Sequence, residues 1–157
     1  AVFTPCGGGG LLSGSVIAAK GMNPDIKVFG AEPTLANDAA QSLKTGKIVT
    51  LAQTPATIAD GVRTLAVSER TFGYLKKSDG IIEIEESSIM YWTQWLTHLL
   101  KLTIEPTSAL GMAAAIKWLT SQSTPQNVLI VLSGGNIDNH TRQQIWQHDY
   151  LMEQPRL

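Results

Sequence analysis

The chain has 157 residues, a length that fits one domain. With 43% hydrophobic and 16% charged residues, it has the composition of a globular protein and is too apolar for a disordered one. Its net charge of -1 gives no field that would attract nucleic acid or a membrane surface, and no apolar run reaches the ~20 residues that span a bilayer.

Strand and helix patterns alternate along the chain, which predicts an α/β domain with a mainly parallel sheet. The run of uncharged, branched residues near position 130 is typical of a central strand. The predicted strands are 2–6, 26–31, 81–84 and 127–132, and the predicted helices are 11–20, 34–44, 67–77, 86–100, 108–120 and 139–148.

The first six residues bear on the origin of the chain and on its location. They read as an apolar strand without an initiating methionine, which favours a piece of a longer protein. The only cysteine, Cys6, cannot form an internal disulfide, so we expect a cytoplasmic location.

Four consecutive glycines, Gly7, Gly8, Gly9 and Gly10, separate the first strand from the first helix. Glycines allow close approach of a ligand to the backbone, and a helix N-terminus directs unpaired N–H groups at an anion. This pattern predicts a phosphate site, with a tight turn as the alternative. It is not a nucleoside-triphosphate loop, because no Lys-Ser or Lys-Thr follows. It also meets the dinucleotide pattern only in part, since Leu12 occupies the third glycine position.

A second glycine cluster, 133–136, follows the last strong strand. Ligands of open α/β sheets bind at the carboxyl ends of strands, so both clusters are compatible with one pocket. The hydroxyl of Ser133 is able to pair with a ring nitrogen of a ligand. The alternative is a plain strand-to-helix turn.

Carboxylates occur near two further segment ends. Glu32 and Asp38 suit a hard cation. The alternative is that Glu32 is solvated and Asp38 begins a helix. Glu105 follows an apolar run and is expected to be partly buried, and Pro106 should begin a helix with Thr107 or Ser108 as its cap.

Two other types of site are not indicated. The histidines His98, His140 and His148 lack a spacing that suggests zinc, and His98 fits the boundary of an amphipathic helix. Cys6 lies beside the glycine loop, but no base accompanies it as a nucleophile requires.

Five segments in order resemble the C-terminal half of the serine/threonine dehydratase and serine racemase family, the fold-type II enzymes that use pyridoxal 5′-phosphate (PLP). They are 5–13, 28–33, 57–63, 104–107 and 131–138. The resemblance implies a three-layer open, mainly parallel sheet with helices on both faces. Residues 1–157 would then be the C-terminal part of the PLP-binding large domain, without the small domain.

The resemblance also implies roles for individual residues. Gly7 to Gly10 and the amide of Leu11 would hold the PLP phosphate, and Ser133 would pair with the pyridine nitrogen. Gly61 and Glu105 would lie against the ring. Glu32, Asp38 and the carbonyl of Ala36 match a divalent-cation site for Mg²⁺, Mn²⁺ or Ca²⁺, and Lys101, Thr107 and Asn136 match positions that contact a nucleotide effector.

The activity implied is that of a PLP-dependent L-threonine/L-serine dehydratase, an ammonia-lyase that acts on small hydroxy-amino acids. A neutral Ser133 opposite the ring nitrogen favours loss of a β-hydroxyl over a long-lived carbanion. The family's Schiff-base lysine lies upstream in a Ser-x-Lys motif that no lysine here matches, so we expect this chain alone to be inactive and to have no catalytic residue.

Two other functions stay open at this point. One is a serine or hydroxyaspartate racemase/dehydratase with the divalent-cation site. The other is a non-catalytic module that binds a phosphorylated ligand or nucleotide. In each case half a domain would leave apolar surface uncovered, so we expect self-association.

Overall fold

A four-stranded parallel sheet forms the centre of the computed structural model, which describes residues 1–155. The strands are β1 (Val2–Pro5), β2 (Val28–Pro33), β3 (Gly80–Ile84) and β4 (Leu129–Ile130), in the spatial order β3-β2-β1-β4. In register, Val2 of β1 lies between Val28 and Leu129. All four strands therefore direct their carboxyl ends toward the same edge of the sheet.

Helices cover both faces of this sheet. The helices are α1 (Gly10–Met22), α2 (Asp38–Thr45), α3 (Glu69–Leu75), α4 (Glu86–Leu100), α5 (Pro106–Leu119) and α6 (Asn139–Ile145). Short 3-10 turns lie at Asp60–Val62 and Tyr150–Met152. The three-layer α/β architecture expected from the sequence is confirmed.

Two apolar clusters separate the layers. Leu12, Val16 and Leu75 from α1 and α3 pack with Val28 on one side of the sheet. On the other side, Phe3 packs with residues of α4 and α5, including Ile89 and Leu110. Helix α5 is rich in alanine, so its backbone lies close to the strands, and this fixes the 105–108 segment beside the end of β1.

Several predicted elements have other bounds in the structure, and two of the differences bear on the site and the sheet. The helix expected over 34–44 begins only at Asp38, because β2 continues through Pro33 and a turn follows, in which the Ala36 amide donates to the Pro33 carbonyl. The strand expected over 127–132 is reduced to Leu129–Ile130, and within the described residues it lies at the edge of the sheet rather than the centre.

Within residues 1–155, none of the helices combines the length and the apolar content that crossing a membrane would require.

Candidate functional site

The first glycine cluster and Ser133 of the second line one cavity of about 300 Å³ at the carboxyl end of β1. Four consecutive glycines and Leu11 come from the end of β1 and the start of α1, and Ser133 comes from the segment that follows β4. The lining is completed by Pro5, Gly61, Val62, Glu105 and Thr107. The sheet topology brings these segments together from distant parts of the chain, as the rule for parallel strands requires.

The four glycines of the first cluster are needed for different reasons: backbone conformation, close packing or open space for a ligand. Gly9 caps α1 in the left-handed region, with φ 85°, which favours glycine. A Cβ on Gly7 would lie 3.1 Å from the Cα of Val62. By contrast, a Cβ on Gly10 would meet nothing within 4 Å, and one on Gly8 would meet only the methyl of Thr64 at 3.9 Å. The lack of side chains at Gly8 and Gly10 thus leaves open space for a ligand.

Helix α1 directs its N-terminus at this open space. Gly9 has no side chain to cap the helix, so the amides of the first turn have no partner from a cap. The hydroxyl of Thr71, in α3, donates to the Gly8 carbonyl at 2.8 Å and so attaches the glycine loop to α3. The arrangement gives free N–H groups and the positive end of a 13-residue helix to an anion.

The opposite wall is held by Ser108, a residue that the sequence indicated only as a helix cap. The cap of α5 is in fact Glu105, with Pro106 at the first helical position, so the prediction of Thr107 or Ser108 as cap is wrong. Instead the buried Ser108 hydroxyl donates to the Gly134 carbonyl at 2.7 Å and accepts from the Gly134 amide at 2.8 Å. Its oxygen lies 3.2 Å from that of Ser133. Ser108 therefore fixes the turn that carries Ser133.

Glu105 is partly buried, as expected, and packs against the same turn. Its carboxylate accepts the Asn136 amide at 3.0 Å. A Cβ on Gly134 would lie 2.7 Å from this carboxylate, so Gly134 allows the close approach. On the facing wall, the Gly61 amide donates to the Thr107 hydroxyl at 3.1 Å, an interaction for which the sequence carried no signal.

Glu32 and Asp38 are both fully buried, so the alternative of a solvated Glu32 is wrong. The Glu32 carboxylate accepts the amides of Ala39 and Ala40 at the start of α2. Neither oxygen of Asp38 has a hydrogen bond of normal geometry. No cation within the described residues neutralises either carboxylate by an ion pair.

Burial has the largest effect on the pKa values of Glu32 and Asp38. It raises the pKa of Glu32 from 4.5 to about 9, against the opposing effect of the Ala40 amide. It also raises the pKa of Asp38 to about 6, although the nearby amide of Val67 lowers it. Burial and both carboxylates keep the pKa of the Cys6 thiol well above its usual range, so Cys6 is no nucleophile.

The metal-ligating side chains of this region are few. Across residues 1–155 no group of three or more His, Cys, Asp or Glu side chains has an arrangement able to hold a metal ion. A cation here would therefore have two carboxylates and backbone oxygens such as that of the buried Ala36. This donor set is typical of Mg²⁺ or Ca²⁺ and unsuited to zinc.

The three residues matched to a nucleotide effector are not joined by any hydrogen bond in the described part of the chain. Thr107 is buried, and its hydroxyl contacts Gly61 in the cavity wall. Lys101 is exposed at the end of α4, with a left-handed φ of 57°, and Asn136 is exposed beyond the second glycine cluster.

Comparison with known proteins decides the family. The sequence profile of a family described as "Pyridoxal-phosphate dependent enzyme" matches residues 1–134. The chain belongs to this family of PLP-dependent enzymes. Every residue that lines the cavity lies within the matched range.

Several characterised members of the PLP-dependent family are similar to this chain. L-threo-3-hydroxyaspartate ammonia-lyase of Saccharomyces cerevisiae is 41% identical over 88% of this chain and 42% of its own length. Serine racemase of Dictyostelium discoideum is 44% identical over 88% of this chain and 43% of its own length. The crystal structure of a T.th. threonine deaminase matches with a TM-score of 0.82 at 43% identity, over 87% of this chain and 50% of that protein. The chain thus spans half or less of the length of these relatives.

The cavity fits the cofactor after which the PLP-dependent family is described. Open space beside Gly8 and Gly10, at a helix N-terminus, suits a phosphate group. The hydroxyl of Ser133 on the facing wall, held by Ser108, offers a neutral group to a heterocyclic ring. The two walls are therefore complementary to a ligand with an anionic tail and a polar ring.

Proposed function

We propose that this chain is the C-terminal part of the cofactor domain of a PLP-dependent L-threonine/L-serine dehydratase. The observation that carries the proposal is the single cavity that joins the α1 glycine cradle to Ser133. Gly7 to Gly10 and the Leu11 amide would hold the phosphate, and Ser133 would accept or donate a hydrogen bond at the pyridine nitrogen. Gly61 and Glu105 would flank the ring.

PLP, when bound, supplies the electron sink that makes the α-proton of an amino acid acidic and lets a β-hydroxyl leave. The residues of this chain would bind and orient it. The neutral Ser133, unlike a carboxylate, does not enforce a proton on the ring nitrogen. A ring without that proton withdraws electrons less strongly, which supports β-elimination of a small hydroxy-amino acid to a keto acid and ammonia. The substrate class and the cytoplasmic location of the reaction are part of the same proposal.

The chain by itself should be inactive, because no lysine lines the described cavity. Lys20 pairs with Asp79, and Lys117 donates to the Glu83 carbonyl on the outside of the sheet. L-threonine or L-serine incubated with this chain and PLP should give no keto acid above a protein-free blank, measured by coupled reduction of the product. Sustained turnover would overturn this proposal.

Binding of PLP can be tested independently of turnover. Gly10→Glu should abolish binding of PLP, because it places a carboxylate in the phosphate space while leaving the fold intact. Acidic residues are favourable in the first turn of a helix, and a side chain at Gly10 meets nothing within 4 Å. Equilibrium dialysis would measure the loss, which should exceed tenfold.

Gly14→Glu is the matched control for that experiment. Gly14 is also exposed on α1 with nothing within 4 Å of an added Cβ, but it does not line the cavity. Its substitution should leave PLP binding within about twofold of the original. Equal binding by both variants would show that the glycine cradle does not hold the phosphate.

A second candidate function is that of a serine or hydroxyaspartate racemase/dehydratase with a divalent cation at Glu32, Asp38 and the Ala36 carbonyl. It is favoured by the two unpaired oxygens of Asp38, which are buried beside a second buried carboxylate. The activities for which the yeast and Dictyostelium relatives are named support the same candidate. Addition of Mg²⁺ should raise the Tm of the chain, and Asp38→Asn should remove that increase. No effect of Mg²⁺, Mn²⁺ or Ca²⁺ on the Tm would argue against the site.

A further inference from the structure

Another cavity, of about 450 Å³, lies between α4, the 103–104 segment and α6. It shares no lining residue with the candidate cofactor cavity. Among the described residues that line it, there is none of the three positions matched to a nucleotide effector. A cavity of this size accommodates a small organic molecule. We call it the α4–α6 cavity.

The walls of the α4–α6 cavity are mainly apolar. Ile104, which directly precedes Glu105, and Ile137, which directly follows Asn136, form part of the lining. Trp146, at the end of α6, is another lining residue and is 42% exposed, so its indole is available to a ligand. Aromatic rings pack favourably on an indole and bury a large apolar area. The walls therefore suit a flat apolar ligand.

Arg142 is the one charged side chain among the described residues that line the α4–α6 cavity. It precedes Trp146 by four residues, so both side chains lie on the same face of α6. Its guanidinium forms no hydrogen bond or ion pair within residues 1–155. Asp138, one turn earlier, accepts instead from the amide and the hydroxyl of Thr141 and caps the helix. An unpaired arginine beside an apolar cavity favours a ligand with one anionic group.

Neutral polar groups of the α4–α6 cavity are compatible with the same anionic group. Thr97, in α4, has a buried hydroxyl oxygen without a hydrogen bond of normal geometry. Buried hydroxyls in proteins usually have a partner. Thr103 and Gln143 also line the cavity, and their side chains contain hydrogen-bond donors. A carboxylate accepts hydrogen bonds from all of these groups, whereas an ammonium would meet Arg142 without an acidic partner.

The α4–α6 cavity is preformed, because both of its sides are fixed. Asp138 caps the start of α6, and Ile145 near its end is fully buried, with its carbonyl bonded to the Gln94 amide. On the other side, the Thr103 carbonyl packs against Gly135 so closely that a Cβ there would have no room. A ligand that enters a preformed cavity loses little affinity to the ordering of the protein.

We propose that the α4–α6 cavity is a binding site for a small monocarboxylate with an aromatic body. The ring lies against Trp146 between Ile104 and Ile137, and the carboxylate pairs with Arg142. A nucleotide suits the cavity less well, because its several phosphate charges would face one cation. This inference does not depend on the proposed dehydratase activity or on the binding of PLP.

The test compares ligands that share one body and differ in charge, namely 3-phenylpropionate, 3-phenylpropanol and protonated 3-phenylpropylamine. Isothermal titration of the chain without PLP should show that the carboxylate binds about tenfold more tightly than the alcohol, and that the amine binds most weakly. The bound carboxylate should slow hydrogen exchange in α6 and leave exchange in α3 unchanged.

Arg142→Gln should reduce the affinity for the carboxylate to that for the alcohol, whose own binding should not change. Arg70→Gln is the matched control, because Arg70 is exposed on α3 and does not line the cavity. Trp146→Ala should weaken the binding of the carboxylate and of the alcohol alike, since both place the ring against the indole.

Three results would each overturn the proposal: equal affinity for the carboxylate and the alcohol, a carboxylate affinity that Arg142→Gln leaves unchanged, or slowed exchange confined to segments outside the cavity. Gly10→Glu, which should abolish binding of PLP, should leave the binding of 3-phenylpropionate intact. Failure of the cofactor proposal and failure of this one are therefore separate results.

Discussion

Ser108 determines the position of the candidate ring-binding turn through one buried hydroxyl. It both donates to and accepts from Gly134, and Ser133 lies beside it. A serine two residues after a proline looks like helix-start chemistry in the sequence. The sequence could not indicate this role, because it depends on the turn at 133–136 folding back onto α5. The glycines, by contrast, were predictable, since their roles depend on local backbone freedom and on a helix that directly follows.

We predict that Ser108→Ala destabilises the chain and weakens its binding of PLP. The change leaves the amide and carbonyl of Gly134 without their buried partner, which costs about 1–3 kcal/mol in the free energy of unfolding. Urea denaturation measures the stability and dialysis the binding. Ser87→Ala, at an exposed site in α4, should change neither by more than experimental error. Unchanged PLP binding by a folded Ser108→Ala protein would show that Ser108 does not position Ser133.

The buried acidic pair leads to a pH prediction. The folded chain holds the Glu32 proton up to a pKa of about 9, whereas an unfolded chain releases it near 4.5. Stability should therefore be greatest below about pH 4.5, as far as this group decides it, and fall as the pH rises toward about 9. Asp38, with its pKa of about 6, adds a loss of the same sign at the acidic end of that window.

The measurement is urea denaturation in EDTA at about pH 5 and about pH 8. The free energy of unfolding should be lower at about pH 8 than at about pH 5. Mg²⁺ should restore stability more at the higher pH, because binding a cation competes with the protons on the carboxylates. Asp38→Asn should reduce the dependence on both pH and Mg²⁺. A stability that rises over this range without metal would contradict the raised pKa values that burial gives Glu32 and Asp38.

At the scale of elements, the order of strands and helices could be predicted, and their ends and neighbours could not. Short apolar segments bounded by turns and helices located all four strands. The position of β4 at the edge was not predictable, because an unbroken apolar run reports burial and does not say which part of a chain provides the cover. The sequence also did not predict the late start of α2 at Asp38, because β2 continues through Pro33 by pairing with Ile84 of β3.

Three side chains of α4 hydrogen-bond the C-terminal segment, namely Tyr91, Gln94 and Trp95, and the fully buried Gln94 makes the most of these bonds. Its amide nitrogen donates to the carbonyls of Ile145 at 2.9 Å and His148 at 2.6 Å, and its oxygen accepts the Tyr150 amide at 2.9 Å. This segment lies beyond residue 134, where the family profile ends. Gln94 thus joins a segment outside the family profile to a helix inside it.

We predict that Gln94→Ala lowers the free energy of unfolding by about 2 kcal/mol, since buried donors and acceptors of the backbone lose their partners. Amides of 145–152 should then exchange hydrogen faster than those of the sheet. Gln144→Ala, at an exposed position on α6, is the control and should alter neither measurement. If exchange in 145–152 stays slow in Gln94→Ala, aromatic packing by Tyr91 and Trp95 holds the segment instead.

At the scale of the whole molecule, the apolar groove of about 490 Å³ between β4 and α1 should determine how the chain behaves in solution. Leu129 and Met22 are exposed in this groove, and the uncharged edge of β4 can pair with the same edge of a second copy. We therefore predict concentration-dependent self-association, with the weight-average mass rising above that of a monomer in sedimentation equilibrium. Leu129→Asp should shift the distribution toward monomer, because pairing would bury two like charges, whereas Leu102→Asp should not. A wild-type chain that remains monomeric over a hundredfold range of concentration would show that exposure of this groove does not drive assembly.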